Sequence, residues 1–139
     1  MSFFLLAKII HITSAIFFIG CVYFRTLIVP RIEPVLGRAR YEETEIALAK
    51  PSRAFGRVNN ALLLLSGSYL FYYYFDAHNS LLHSKATLGF VVIALFYSAP
   101  YFVPKVSAYI KGFKRYFHHV LLLLMLLIVL FSQLMFYQG

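Results

Sequence analysis

A lysine and a histidine stand three residues apart inside the first long apolar run of the chain, Lys8-Ile-Ile-His11. That spacing places both on one face of a helix. Ionisable groups at membrane depth are costly, and those that occur face a cavity, a cofactor or a partner helix. An imidazole in such a place is a haem ligand, a hydrogen-bond partner between helices, or a polar group with some other function. His83 and Lys85 open a later apolar run, and His118-His119 follow Lys114-Arg115 at the start of the last one. Lys8 and Lys85 have the charge to pair with the propionate carboxylates of a porphyrin. Ser14, Ala15 and Gly89 are small enough to leave room for a ring.

The elements that position these groups are read from the apolar runs. Of 139 residues, 61% are apolar and 13% charged, against about 25% charged in an average soluble domain. A small soluble domain has no interior large enough for that much apolar surface. The expectation is a single all-α membrane domain: an antiparallel bundle of four spanning helices at about residues 2–29, 53–75, 81–103 and 116–137. The first run is too long for a cleavable signal peptide and lacks a small-x-small site, so it reads as a retained span. Its 28 residues would extend roughly 40 Å against a hydrocarbon thickness of about 30 Å, so it must tilt or protrude.

Pro30, Pro34 and Gly37 mark its exit. Residues 30–52 and 104–115 read as loops. Within the first, residues 38–50 have helical composition, with Arg38–Glu42 and Arg40–Glu43 spaced for ion pairs. They suggest a short surface helix, or an extension of a spanning one, without a site of its own. Pro51 is expected to stop that helix and Ser52 to cap the next. Pro100 and Pro104 should kink or stop the third span. Ser66-Gly67-Ser68 lets a neighbouring backbone or a flat ligand come close. Tyr72, Tyr73 and Tyr74 resemble an interfacial aromatic belt.

The formal charge is +8. Arg31, Arg38, Arg40, Lys50, Arg53 and Arg57 lie around the first loop and Lys105, Lys111, Lys114 and Arg115 around the last, whereas the short connection Asp76-Ala-His78-Asn-Ser80 has no lysine or arginine. This is topology-setting charge, not a nucleic-acid surface. The positive-inside rule puts both basic loops in the cytoplasm and both termini on the periplasmic side of a bacterial inner membrane. His11 then lies about 12 Å below the outer end of its helix, and His83 about 9 Å shallower. Lys8, His11, His83 and Lys85 can converge in the outer half; His118 and His119 cannot join them, and they read as groups of the basic edge.

Other chemistries find little. Cys21 is the single cysteine, so no internal disulfide forms, and it reads as a packing residue. Met1, Met125 and Met135 do not neighbour His11 in sequence, and no Met-x-x-Met or Cys-x-x-Cys would hold copper. Zinc wants three or four closely set donors. Asp76 is the one acid on the outer side, and no serine or cysteine carries a hydrolase motif.

Three short stretches carry a family likeness: Lys8-x-x-His11-Ile with Gly20 and Pro30-Arg31; Arg53-x-Phe55-Gly56-Arg57 with Leu65-Ser66-Gly67-x-Tyr69-Leu70; and Leu82-His83-x-Lys85-x-x-Leu88-Gly89. The chain resembles, over nearly its whole length, the superfamily that joins HemJ-type protoporphyrinogen oxidases to the membrane domain of copper-resistance protein D (CopD). The resemblance implies a four-helix membrane protein, often oligomeric, that binds haem b. It makes His11 the haem ligand and Lys85 a residue needed for activity. The implied reaction is the six-electron oxidation of protoporphyrinogen IX to protoporphyrin IX, with electrons passed to a respiratory-chain acceptor. The expected arrangement is a homodimer in the lipid bilayer, with His11 on the iron, His83 or Lys85 on the other side or Lys85 on a propionate, and Lys8 nearby. The alternative is a non-enzymatic module for copper transport or resistance, or a structural subunit of a larger membrane complex.

Overall fold

The computed structural model describes residues 2–75 and 78–137, with side chains to residue 134. Asp76, the outer acid, lies outside the described residues, as do Met1 and the side chain of Met135. Every regular element described is helical: α1 (Phe3–Tyr23), α2 (Glu33–Leu36), α3 (Arg38–Tyr73), α4 (Ser80–Ser107) and α5 (Phe113–Tyr137). Three helical stretches, Phe3–Leu36, Ser80–Ser107 and Phe113–Leu134, are long and apolar enough to cross a membrane. Their exposed faces carry large apolar side chains such as Ile16, Phe17, Leu123 and Leu126, the surface of an integral membrane protein in contact with lipid.

Local chemistry explains the helix boundaries. Ser2 caps α1 by accepting from the Leu5 N–H at 3.1 Å, and Asn79 caps α4 by accepting from the Leu82 N–H at 3.1 Å. The first crossing continues past Tyr23 through a π-helical turn, Phe24–Ile28, and a 3-10 turn, Val29–Ile32, before α2. In an α-helix the N–H of residue 30 would bond to the Thr26 carbonyl; proline has no such N–H, and the ladder widens just before it. Gly37 ends this stretch at φ 82°, a conformation that costs glycine little, and its N–H bonds to the Glu33 carbonyl at 2.9 Å.

The prolines do not behave as expected from the sequence. Pro51 lies inside α3, which runs unbroken for 36 residues, and Pro100 and Pro104 lie inside α4, which continues to Ser107. Residues 38–50 are therefore the first half of α3, an extension of the second apolar run and not a separate surface helix, and Ser52 caps nothing. Pro51 and Ala47, whose carbonyl loses its partner, are both exposed, so the missing hydrogen bond is repaired by solvent. Of the two ion pairs expected in this segment, Arg38–Glu42 forms at 3.1 Å. Arg40–Glu43 is not among the described ion pairs.

α1 and α3 pack along their length with contacts in opposite order. Phe3 meets Tyr69 edge-on at 4.8 Å, Phe4 stacks on Tyr73 at 4.1 Å, and Phe17 meets Phe55 at 6.1 Å. Arg25, at the far end, reaches Glu45 at 3.2 Å. α4 crosses α3 where the Tyr97 hydroxyl donates to the Arg57 carbonyl at 2.7 Å, and Phe102 joins α4 to Phe113 and Phe117 of α5. The common core is Phe18, Val22, Val92, Phe117, Leu121, Leu122 and Met125.

α3 also meets α4 at Gly56, which the Phe96 ring covers so tightly that a β-carbon would overlap it. Phe96 also meets Phe18 and Tyr97 edge-on, so shifting its ring would disturb both contacts. Gly56→Ala is expected to destabilise the protein by about 1–3 kcal/mol, the usual cost of overpacking. Thermal unfolding in detergent micelles measures it, and an unchanged midpoint would contradict the packing described.

Candidate functional site

α1 and α3 carry a seam of polar groups through an otherwise apolar interface. Asn59 Nδ2 donates to the Ser14 carbonyl at 2.9 Å, and Asn60, fully buried beside it, accepts from the same nitrogen at 3.4 Å. Two turns further along α3, Ser66 Oγ lies 3.3 Å from His11 Nδ1 and 3.2 Å from the Leu63 carbonyl. With the hydroxyl donating to that carbonyl, its oxygen is placed to accept from Nδ1–H of His11, the tautomer that leaves the imidazole lone pair on Nε2. The ring comes close to Gly67, where a β-carbon would stand 3.0 Å from His11 Cε1 and 3.3 Å from Nδ1. Ser66-Gly67 thus seats a side chain: serine sets its tautomer and glycine admits its ring.

The other expected site residues distribute around this contact. Lys85 on α4 is half-buried and lies within electrostatic range of the His11 ring. His83 packs edge-on against Phe71 at 5.7 Å and Phe75 at 5.5 Å, further out along α3 than Ser66. Lys8 is half-buried one turn before His11. An apolar hollow of about 150 Å³ lies between α1 and α3, with Ala7, Ile10, Leu62 and Ser66 in its walls; it reaches Ser66, the neighbour of His11, but the imidazole itself does not line it. Among the described residues, no three His, Cys, Asp or Glu side chains gather as a metal site would require.

At the opposite, basic end lies a second polar region that the sequence reading missed. Glu45 bridges Arg25 at 3.2 Å and Lys114 at 3.7 Å, and accepts from the Tyr41 hydroxyl at 3.4 Å. Burial, with the neighbouring Glu45 carboxylate adding to it, raises the pKa of Tyr41 and keeps it a neutral donor. His118 faces a cavity among α1, α3, α4 and α5, while His119 Nδ1 donates to the Arg115 carbonyl at 2.8 Å. A signal for this docking was present in the sequence. Tyr41, Thr44, Glu45, Leu48, Ala49 and Ser52 recur at helical spacing, and all are half-buried while the intervening positions 42, 43, 46, 47, 50 and 51 are exposed.

The tautomer assigned to His11 is directly measurable. In protein labelled with ¹⁵N-histidine, His11 should show a protonated Nδ1 and a bare Nε2, and Ser66→Ala should populate both tautomers. A wild-type ring protonated mainly on Nε2 would refute the hydrogen-bond direction. Among known proteins the chain has no match: no family model, no curated protein and no solved structure corresponds to it.

Proposed function

We propose that the chain is a four-crossing, haem-binding membrane protein in which His11 Nε2 supplies the axial nitrogen. The observation that carries this reading is the fixed imidazole, with Nδ1–H placed to donate to Ser66 and the ring close to Gly67. Metal-binding histidines are held in this way, with one nitrogen donating to a fixed acceptor while the other stays basic. The second half of α3 lies along α1 from Phe55 to Tyr73. This supports a fourth crossing antiparallel to the first. The basic residues collect at one edge, which the positive-inside rule assigns to the cytoplasm, with both termini periplasmic in a bacterial inner membrane.

The residues fit haem b as donors. His11 offers a neutral imidazole, and Lys85, within electrostatic range of it, offers a cation for a propionate. The hollow beside Ser66, about 150 Å³, is smaller than the roughly 300 Å³ at which ligand pockets begin. A second copy closing over the exposed Leu62, Leu65 and Phe3 would complete the enclosure, in keeping with a homodimer. Bound haem would supply one-electron chemistry that these side chains lack. Lys85 would hold a carboxylate, of the cofactor or of a porphyrin substrate, and the apolar walls of α1 and α3 would keep water out. The reaction proposed, following the family likeness, is oxidation of protoporphyrinogen IX to protoporphyrin IX, with electrons delivered to a respiratory-chain acceptor.

Protein purified from haem-replete cells should show Soret and α bands, and His11→Ala should abolish them while leaving the helical circular-dichroism signal intact. Colourless wild-type protein would overturn the haem reading. With haem present, an anaerobic assay with protoporphyrinogen IX should show porphyrin fluorescence rising above a heat-killed control, and Lys85→Ala should lower the rate at least about tenfold, the loss of one charge-assisted contact. No rise would reject the oxidase and leave an electron carrier.

A further inference from the structure

We propose that the basic end of the helices holds one anionic phospholipid, its phosphate among Arg25, Arg53, Lys114 and His118 and its upper acyl segment against Phe18, Phe96 and Leu121. All seven residues line a single cavity of about 380 Å³, within the range of ligand pockets. It lies about 20 Å along α1 from His11, and nothing in its argument depends on that residue.

Three observations converge on an anion. No carboxylate lines the cavity; Glu45, just outside, takes one hydrogen-bonding arm of Arg25 and lies near Lys114. Three fixed cations against one carboxylate leave the site with net positive charge. Next, Arg25 Nε, Thr26 Oγ1 and Ser107 Oγ are buried at its wall and have no hydrogen-bond partner among the described residues. Thr26 is only 4% exposed. Buried donors normally find acceptors, and a phosphate offers several at once. Finally, Arg25 and Thr26 both belong to the π-helical turn Phe24–Ile28 ahead of Pro30. Such turns are frequent at functional sites.

The apolar remainder of the cavity selects an amphiphile over a free ion. Below the cations the walls are phenylalanine, valine and leucine side chains continuous with the protein core, where a hydrated phosphate gains nothing and an acyl chain does. The level is also right: the cations sit at the end of the apolar spans, where the headgroups of the anionic leaflet lie. Basic clefts between spanning helices at that level recognise anionic lipid headgroups.

The test is native mass spectrometry of the full chain in detergent, titrated separately with phosphatidylglycerol, phosphatidylcholine, oleate and inorganic phosphate. One phosphatidylglycerol should bind per chain, at least about tenfold tighter than phosphatidylcholine, as expected when a few basic groups contribute about 1 kcal/mol each. Arg25→Gln should reduce that preference below threefold, whereas Arg31→Gln, exposed and outside the cavity, should leave it unchanged. Lys114→Gln, on a half-exposed side chain, carries the same expectation as Arg25→Gln should the latter fail to fold. Equal binding of the two phospholipids would overturn the proposal. So would a preference that survives both cavity variants or is lost equally in Arg31→Gln, which would mark diffuse surface charge. Displacement of phosphatidylglycerol by equimolar phosphate or oleate would replace the lipid with a free anion or fatty acid.

Discussion

Polar groups on helices surrounded by lipid have no water to turn to, and this constraint organises the interface between α1 and α3. Asn59 takes the Ser14 carbonyl and Ser66 takes His11. Each pairing joins residues more than forty positions apart, and each works in one register only, because a one-residue slip would turn Asn59 and Ser66 away from their partners. The aromatic contacts on either side, Phe3 with Tyr69 and Phe17 with Phe55, follow from that register. Interhelical hydrogen bonds in membranes contribute only about 0.6–2 kcal/mol each. Their larger effect is specificity, because the apolar surfaces alone would tolerate many alignments.

The basic end is arranged differently. Here α1, α3 and α5 meet around one carboxylate, Glu45, which lies between Arg25 and Lys114. A second carboxylate, Glu33, serves the outer rim through Arg38 at 3.5 Å and Arg115 at 3.8 Å. The four glutamates of this region, Glu33, Glu42, Glu43 and Glu45, are outnumbered by its lysines and arginines. The cavity at this end lies among the helices beside the contacts at Gly56 and Phe102.

Much of the architecture was legible before the structure. The apolar runs announced the long helices, and Ser66-Gly67 announced a close approach, because only small residues allow one. What approaches is a histidine ring from α1, which the sequence could not specify. The prolines misled because their cost depends on surroundings: Pro51 at an exposed turn loses a hydrogen bond that solvent replaces, while Pro100 and Pro104 stay within a helix whose Phe102 packs on Phe113 and Phe117 of α5. By their charges, residues 38–50 suggest a helix without a site of its own. Their half-buried face is lined with small or uncharged side chains around a single glutamate, a pattern too sparse to stand out until its partners Arg25 and Lys114 are seen opposite.

The sequence by itself determined that the chain is helical and that it carries long apolar runs able to cross a membrane, because composition and run length decide those matters through the solvent alone; the four spans expected from it become three helices long and apolar enough to cross, with the second run carried in α3. It also determined that Lys8, His11 and Lys85 would stand on apolar helices and so need partners. Only the tertiary structure decided which partners they receive. That Ser66 and not His83 lies on the His11 ring, and that Arg25 and Lys114 share Glu45, depends on helix register and rotation. Those are set by many weak contacts between residues far apart in the chain, and no local run of residues encodes them.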